Sequence, residues 1–140
     1  CGSNVDPARA EELIYGYAVG LDLTRRDLQA ALKAKGRPWE VAKGFEASGP
    51  VGPITPREQV GTLVRGGIRL SVDGEERQSG DLDQMIWSVN EIISHLSRHW
   101  SLAAGDIVFT GTPAGVGAVV RGNHLQGSID GLDGIQVELV

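Results

Sequence analysis

The residues with the most chemistry to offer fall in three short stretches. In GYAVGLDLTRRDLQ, Gly16 to Gln29, one aspartate, Asp22, closes an apolar run, and two arginines, Arg25 and Arg26, open the next segment. An aspartate carboxylate is a hard oxygen donor of the kind that holds divalent cations. A guanidinium is a planar, two-pronged donor for a carboxylate, and the free N–H groups at a helix start favour anions as well. The arginines can equally be solvated surface groups, opposing the helix macrodipole at a cost of about 0.3–1 kcal/mol each, and Asp22 can simply cap a turn. In TGTPAGVG, Thr110 to Gly117, small residues let backbone N–H groups approach a ligand and two hydroxyls are placed to orient it. No Lys-Ser/Thr pair follows its last glycine and the G-x-G-x-x-G spacing is absent, so a nucleotide-phosphate loop is excluded. A plain strand-to-turn transition explains the same glycines. Lys43, in WEVAKGF, reads by itself as a surface lysine.

The remaining titratable groups offer less. His95 and His99 lie four apart in a helical pattern, a spacing that can serve a metal, but the helical phase puts both beside the packing face and no third ligand accompanies them. His124, in RGNHLQG, reads as a surface-loop residue able to carry a proton. Cys1 is the single cysteine, so no internal disulfide forms, which suits a reducing cytoplasm. As an N-terminal Cys it could be a lipid-bearing residue or a nucleophile, but no neighbouring residue supports either role.

The elements around these residues follow from periodicity and turn chemistry. Asp6 followed by Pro7 predicts a short helix start within 6–14. The stretch YGYAVGLDL predicts a strand in which Tyr17, Val19 and Leu21 share one face and Ala18, Gly20 and Asp22 the other. The aspartate thus shares its face with side chains of almost no size. Thr24 and Asp27 resemble a capping box for a helix over about Arg25 to Lys35. From Gly36 to Gly67 the Gly- and Pro-rich sequence predicts ordered loop. IRLSVDGEERQ predicts a β-hairpin turning at Asp73-Gly74, and MIWSVNEIISHLSRHW a long amphipathic helix, Met85 to Trp100. A short strand, Ile107 to Phe109, and a final turn and strand in SIDGLDGIQVELV complete the chain.

Composition bounds the partners. A chain of 140 residues with 41% hydrophobic content suits one globular domain, since domains commonly run to roughly 100–150 residues. With 13 Lys+Arg against 18 Asp+Glu, a formal net charge of −5, it has no broad cationic surface for nucleic acid. No apolar run approaches the roughly 18–20 residues that cross a bilayer, so a soluble, cytoplasmic protein without a membrane partner is expected. The chain opens without Met, and truncation is the expectation there.

Four segments in order, GYAVGLDLTRRDLQ, RPWEVAKGFEASGPVGPI, VDGEERQSGDLDQMIWSVNEIISHLS and GDIVFTGTPAGVG, resemble the fumarylacetoacetate hydrolase family, in its fumarylpyruvate hydrolase-like branch. The resemblance covers nearly the whole chain. It implies an α+β fold, a mixed β-sheet roll with a few peripheral helices, usually as a homodimer. The implied activity is metal-dependent hydrolysis of the C–C bond of a 2,4-dioxo acid such as fumarylpyruvate, with Mg2+ or Mn2+, in aromatic catabolism. Position by position it makes Asp22 a metal ligand, Arg26 and Gln29 contacts to the oxoacid end, Lys43 the active-site lysine that also touches substrate, and Thr112 a clamp on the same carboxylate. The metal and these residues would together grip one pyruvoyl group, while a base activates water for attack on the 4-oxo carbon. The family's H-x-E-x-E strand and His-Glu pair have no counterpart in this sequence, so residues 1–140 are expected to be the C-terminal part of a longer catalytic domain. Oxaloacetate decarboxylation, isomerisation of hydroxymuconate-type diacids, and a non-catalytic dimerising remnant lacking the metal-binding glutamates are the alternatives.

Overall fold

The computed structural model describes residues 2–140; the readings offered for Cys1 lie outside them. The architecture is α+β. Its centre is a four-stranded sheet in which β3 (Gly67–Val72) pairs with β4 (Glu75–Asp81) on one side and β5 (His124–Ile129) on the other, and β5 pairs with β6 (Ile135–Glu138). A second, two-stranded pairing joins β1 (Gly16–Tyr17) to β2 (Thr55–Pro56). Every pairing among the described residues is antiparallel. Short helices lie around these sheets: α1 (Pro7–Ala10), α2 (Arg26–Ala34), α3 (Glu40–Lys43), α4 (Arg57–Val60) and α5 (Val89–Leu96). None is long and apolar enough to cross a membrane.

The β3–β4 hairpin turns where its sequence requires. Asp73 and Gly74 have φ of 52° and 84°, the positive pair that matches a two-residue turn to the strand twist. The ladder is interrupted once. Leu70 faces Gln78 while Ser71 faces Glu76, which leaves Arg77 as a β-bulge in the edge strand. His124 begins β5, so it is an exposed strand residue rather than a loop residue.

The alternation read in 15–23 is present, but the regular strand within it is short. Val19 and Leu21 are buried with Val72, Leu125 and Ile135 in the main core, whereas Gly20 and Asp22 are exposed. Beyond β1 the chain stays extended by bonding to the loop 42–52. Gly52 N donates to Val19 O (2.8 Å), Leu21 N to Pro50 O (3.0 Å), Leu23 N to Ser48 O (2.8 Å) and Arg25 N to Ala42 O (3.0 Å). This run of bonds gives the Pro- and Gly-rich segment its order, since buried backbone groups must find partners.

Three further expectations need correction. The Thr24–Asp27 capping box does not form: α2 begins from Arg25, which makes no side-chain cap, and the Thr24 hydroxyl accepts a bond from Lys43 instead. The long helix spans Val89–Leu96 only, because Ser88 caps it: its hydroxyl accepts from Glu91 N, and the Glu91 carboxylate accepts from Ser88 N. That box fixes the first helical residue, Val89, four residues after Met85. Finally, 107–109 is not part of a strand, having no ladder partner among the described residues. Its Phe109 ring covers the glycine face beside Asp22, so that a Cβ on Gly20 would stand 2.8 Å from Phe109 Cε1.

Candidate active site

Asp22, Arg26, Gln29, Lys43 and Thr112 all line one cleft of about 840 Å³, bounded also by Phe109, Gln78 and the glycine-rich loop 111–117. The extended segment 19–25 and the loop 42–52 bring its first wall together. Once Arg25 N is bonded to Ala42 O, α3 lies alongside the start of α2. Lys43, at the end of α3, then reaches back 21 residues. Its ammonium donates to Asp22 Oδ2 at 2.7 Å and to Thr24 Oγ1 at 2.9 Å. An ammonium has three donors, so one remains for a ligand. The Lys43 and Asp22 side chains are 36% and 47% exposed, which keeps their pairing worth no more than about 1 kcal/mol and open to competition from a bound group.

The second wall is the first turn of α2. Arg26 Nη1 donates to Gln29 Oε1 at 3.1 Å, one turn further on. The bond is charge-assisted and leaves most of the guanidinium donors, with the Gln29 amide N–H groups, for another acceptor. Arg25 projects differently, with its guanidinium carbon 4.6 Å from the centre of the Phe45 ring, a cation–π contact. Of the two arginines, Arg26 is thus the one held against a polar partner within the cleft.

The third wall is loop 111–117, which rests on β4. Thr112 Oγ1 accepts a hydrogen bond of 2.8 Å from the Gln78 amide nitrogen, and Pro113 O accepts another of 2.7 Å from the same nitrogen. Gln78 was missed by sequence reasoning: in a strand of polar residues, EERQSGD, nothing marks it as the buried one. Thr24 was missed as well, because its place beside Lys43 depends on the long-range pairing of 19–25 with 42–52.

The histidines stand apart from the cleft. His95 and His99 form part of an edge-to-face series with Trp87 and Trp100, at ring separations of 4.8, 5.4 and 5.7 Å. Among the described residues no three His, Cys, Asp or Glu side chains converge as a metal centre requires. The cleft offers Asp22 as one carboxylate donor. Mg2+ and Mn2+ favour several oxygen ligands, so the described residues do not complete a site for either.

The profile described as fumarylacetoacetate (FAA) hydrolase C-terminal matches residues 1–139. The chain belongs to the fumarylacetoacetate hydrolase family. Within it, fumarylpyruvate hydrolase of Ralstonia sp is 47% identical over 131 residues, covering 94% of this chain and 68% of that protein. The mitochondrial oxaloacetate tautomerase of Rattus norvegicus is 42% identical over 131 residues, 94% of this chain and 59% of that protein. Among solved structures, fumarylpyruvate hydrolase from Pseudomonas aeruginosa, in complex with Mn2+ and pyruvate, is 54% identical with a TM-score of 0.96, covering 99% of this chain and 60% of that one. The fold is therefore that of the fumarylacetoacetate hydrolase family, and the chain spans about three fifths of the length of most of these relatives.

Proposed function

We propose that this chain supplies the oxoacid-gripping part of a metal-dependent acylpyruvate hydrolase, one that cleaves a 2,4-dioxo acid such as fumarylpyruvate to pyruvate and a carboxylic acid. The observation that carries this is convergence. Asp22, Arg26, Gln29, Lys43 and Thr112, drawn from segments far apart in sequence, line one cleft, and the similar Pseudomonas enzyme was solved with Mn2+ and pyruvate.

In this reading Arg26 and Gln29 hold the substrate carboxylate from one side and the Thr112 hydroxyl from the other. Lys43 brings its third N–H to the pyruvoyl oxygen. Asp22 is one ligand of a divalent ion, Mg2+ or Mn2+, which would supply Lewis acidity when bound. Water adds to the 4-oxo carbon, the C3–C4 bond breaks, and the electron pair passes toward the 2-oxo oxygen, where the Lys43 ammonium stabilises the developing charge. Protonation of C3 then yields pyruvate.

The proposed setting is a cytoplasmic homodimer in the breakdown of aromatic compounds, without nucleic-acid or membrane partners. The net charge of −5 supports the part of this that concerns nucleic acid. Residues 1–140 are proposed as the C-terminal part of the catalytic domain, which the relatives' greater length supports.

The test is pyruvate release by the full-length protein from fumarylpyruvate, other acylpyruvates and oxaloacetate, with Mn2+ added. Fumarylpyruvate should be turned over fastest, and Asp22→Ala should abolish metal-dependent turnover. Oxaloacetate as the preferred substrate would favour the decarboxylase or tautomerase reading, to which the Rattus relative is similar. Full activity in Asp22→Ala would overturn the assignment of Asp22.

A further inference from the structure

The structure assigns Gln78 as the residue that makes Thr112 a hydrogen-bond donor into the cleft. This role rests on the oxoacid-binding reading and deepens it. Gln78 is buried on an otherwise exposed stretch of β4. One end of its side chain meets two acceptors, Thr112 Oγ1 at 2.8 Å and Pro113 O at 2.7 Å. The orientation of the amide is fixed by chemistry, since a backbone carbonyl can only accept. The nitrogen must therefore face Pro113 O, and both of its N–H groups are used. A hydroxyl that accepts one of them keeps its own proton for a different partner. Thr112 lies exposed at the cleft, so that proton is available to an anion bound there.

The surrounding backbone points to the same role. The bulge at Arg77 immediately precedes Gln78, and loop 111–117 seats against the backbone there. At Gly115, φ is +99° and a Cβ would stand 2.1 Å from Arg77 O. At Gly80, two residues beyond Gln78 on the same face of β4, a Cβ would stand 3.2 Å from Pro113 Cβ. Two glycines thus allow the loop to lie directly on β4, and Gln78 ties the two together between them. Bulges are often found where a strand must re-aim a side chain beside a functional site. Gln78 is a positioning residue, acting on the substrate through Thr112.

The test is a double-mutant cycle in the full-length protein, using Gln78→Met, which keeps side-chain length and removes both donors, and Thr112→Val. Two quantities are read: pyruvate affinity by calorimetry with Mn2+ present, and KM and kcat for fumarylpyruvate. A hydrogen bond to a charged group is worth about 10- to 100-fold in affinity. Thr112→Val should weaken pyruvate binding and raise KM within that range. Gln78→Met should do most of the same, and the double variant should be no worse than Thr112→Val alone. Gln78→Glu, which keeps the shape but draws the Thr112 proton to its own carboxylate, should also raise KM and covers the case in which the Met variant does not fold. If Thr112→Val weakens binding while Gln78→Met and Gln78→Glu leave it unchanged, the role of Gln78 is overturned and the oxoacid reading stands. If the two effects simply add, Gln78 acts on the fold and not through Thr112, and the inference fails. If Thr112→Val itself changes nothing, the reading of Thr112 falls and this inference falls with it.

Discussion

A single arginine gives the sharpest measure of the cleft. Arg26 is held by Gln29 at 3.1 Å, so its planar fork is ordered before a ligand arrives, and preorganisation lowers the entropy lost on binding. Lysine keeps the charge but loses the fork. Arg26→Lys should therefore raise KM for the oxoacid by about 10- to 100-fold, the worth of a hydrogen bond to a charged group, with a smaller fall in kcat. Steady-state kinetics checks this, and an unchanged KM would make Arg26 a surface arginine. At this scale the sequence was informative where chemistry is local. Asp22 beside bare residues and arginines at a helix start are legible as features that invite a ligand, although a turn cap and solvated arginines account for the same residues. Lys43 is not. Its meaning comes from Asp22, 21 residues away, and no periodicity connects the two; only the family resemblance singled it out. Gln78 was invisible for the same reason, because its partners lie more than 30 residues downstream.

Elements succeed or fail as readings according to whether their ends are set locally. The Asp73-Gly74 turn depends on two backbone angles and was legible. Helix α5 was overextended because Ile86 and Trp100 continue its apolar period while lying 96% and 64% exposed; periodicity alone cannot tell a packed residue from one that merely fits the pattern. The Ser88–Glu91 box decides the start. Ser88→Ala removes it and should cost about 1 kcal/mol, read as a lower midpoint in chemical unfolding. Acid should act on the same cap. Bonds from the Ser88 backbone N–H, and then from its hydroxyl, hold the Glu91 carboxyl below its ordinary 4.5. A group lowered in the folded state contributes stability above its unfolded value and loses it as pH falls through the folded one. The wild type should accordingly lose part of its stability as pH drops below about 4.5, and Ser88→Ala should lose less over that window. Equal acid sensitivity in both would remove Glu91 from the account. The helix itself matters beyond its length. The buried Ser94 and Ser97 hydroxyls bond Val5 O at 2.7 Å and Val5 N at 2.8 Å, docking the first residues of the chain against α5.

The whole molecule has a thin core for its size. Val19, Leu21, Val72, Leu125 and Ile135 form one buried cluster, while Tyr15, Trp39, Val64, Ile86, Trp100, Ile107 and Phe109, among others, remain 42% to 96% exposed. The alternation in 15–23 and the hairpin made the sheet's inner face legible in the sequence. The outer apolar residues were not, because a hydrophobic residue in a sequence carries no sign of whether its partner lies in the same 140 residues. This chain matches 60% of the length of the solved structure from Pseudomonas aeruginosa, which supports the proposal that residues 1–140 are part of a longer catalytic domain, whose remainder would cover these residues. Exposed apolar surface has consequences in solution: it binds hydrophobic dyes and promotes association. The isolated 140-residue chain should therefore enhance the fluorescence of anilinonaphthalene sulfonate and scatter more light as its concentration rises, and the full-length protein should do neither beyond a defined oligomer. A dye-silent chain with one sharp unfolding transition and constant mass would mean that the sheet and its peripheral helices suffice for a stable unit, and that the residues around Phe109 are ordinary surface lining an open cleft.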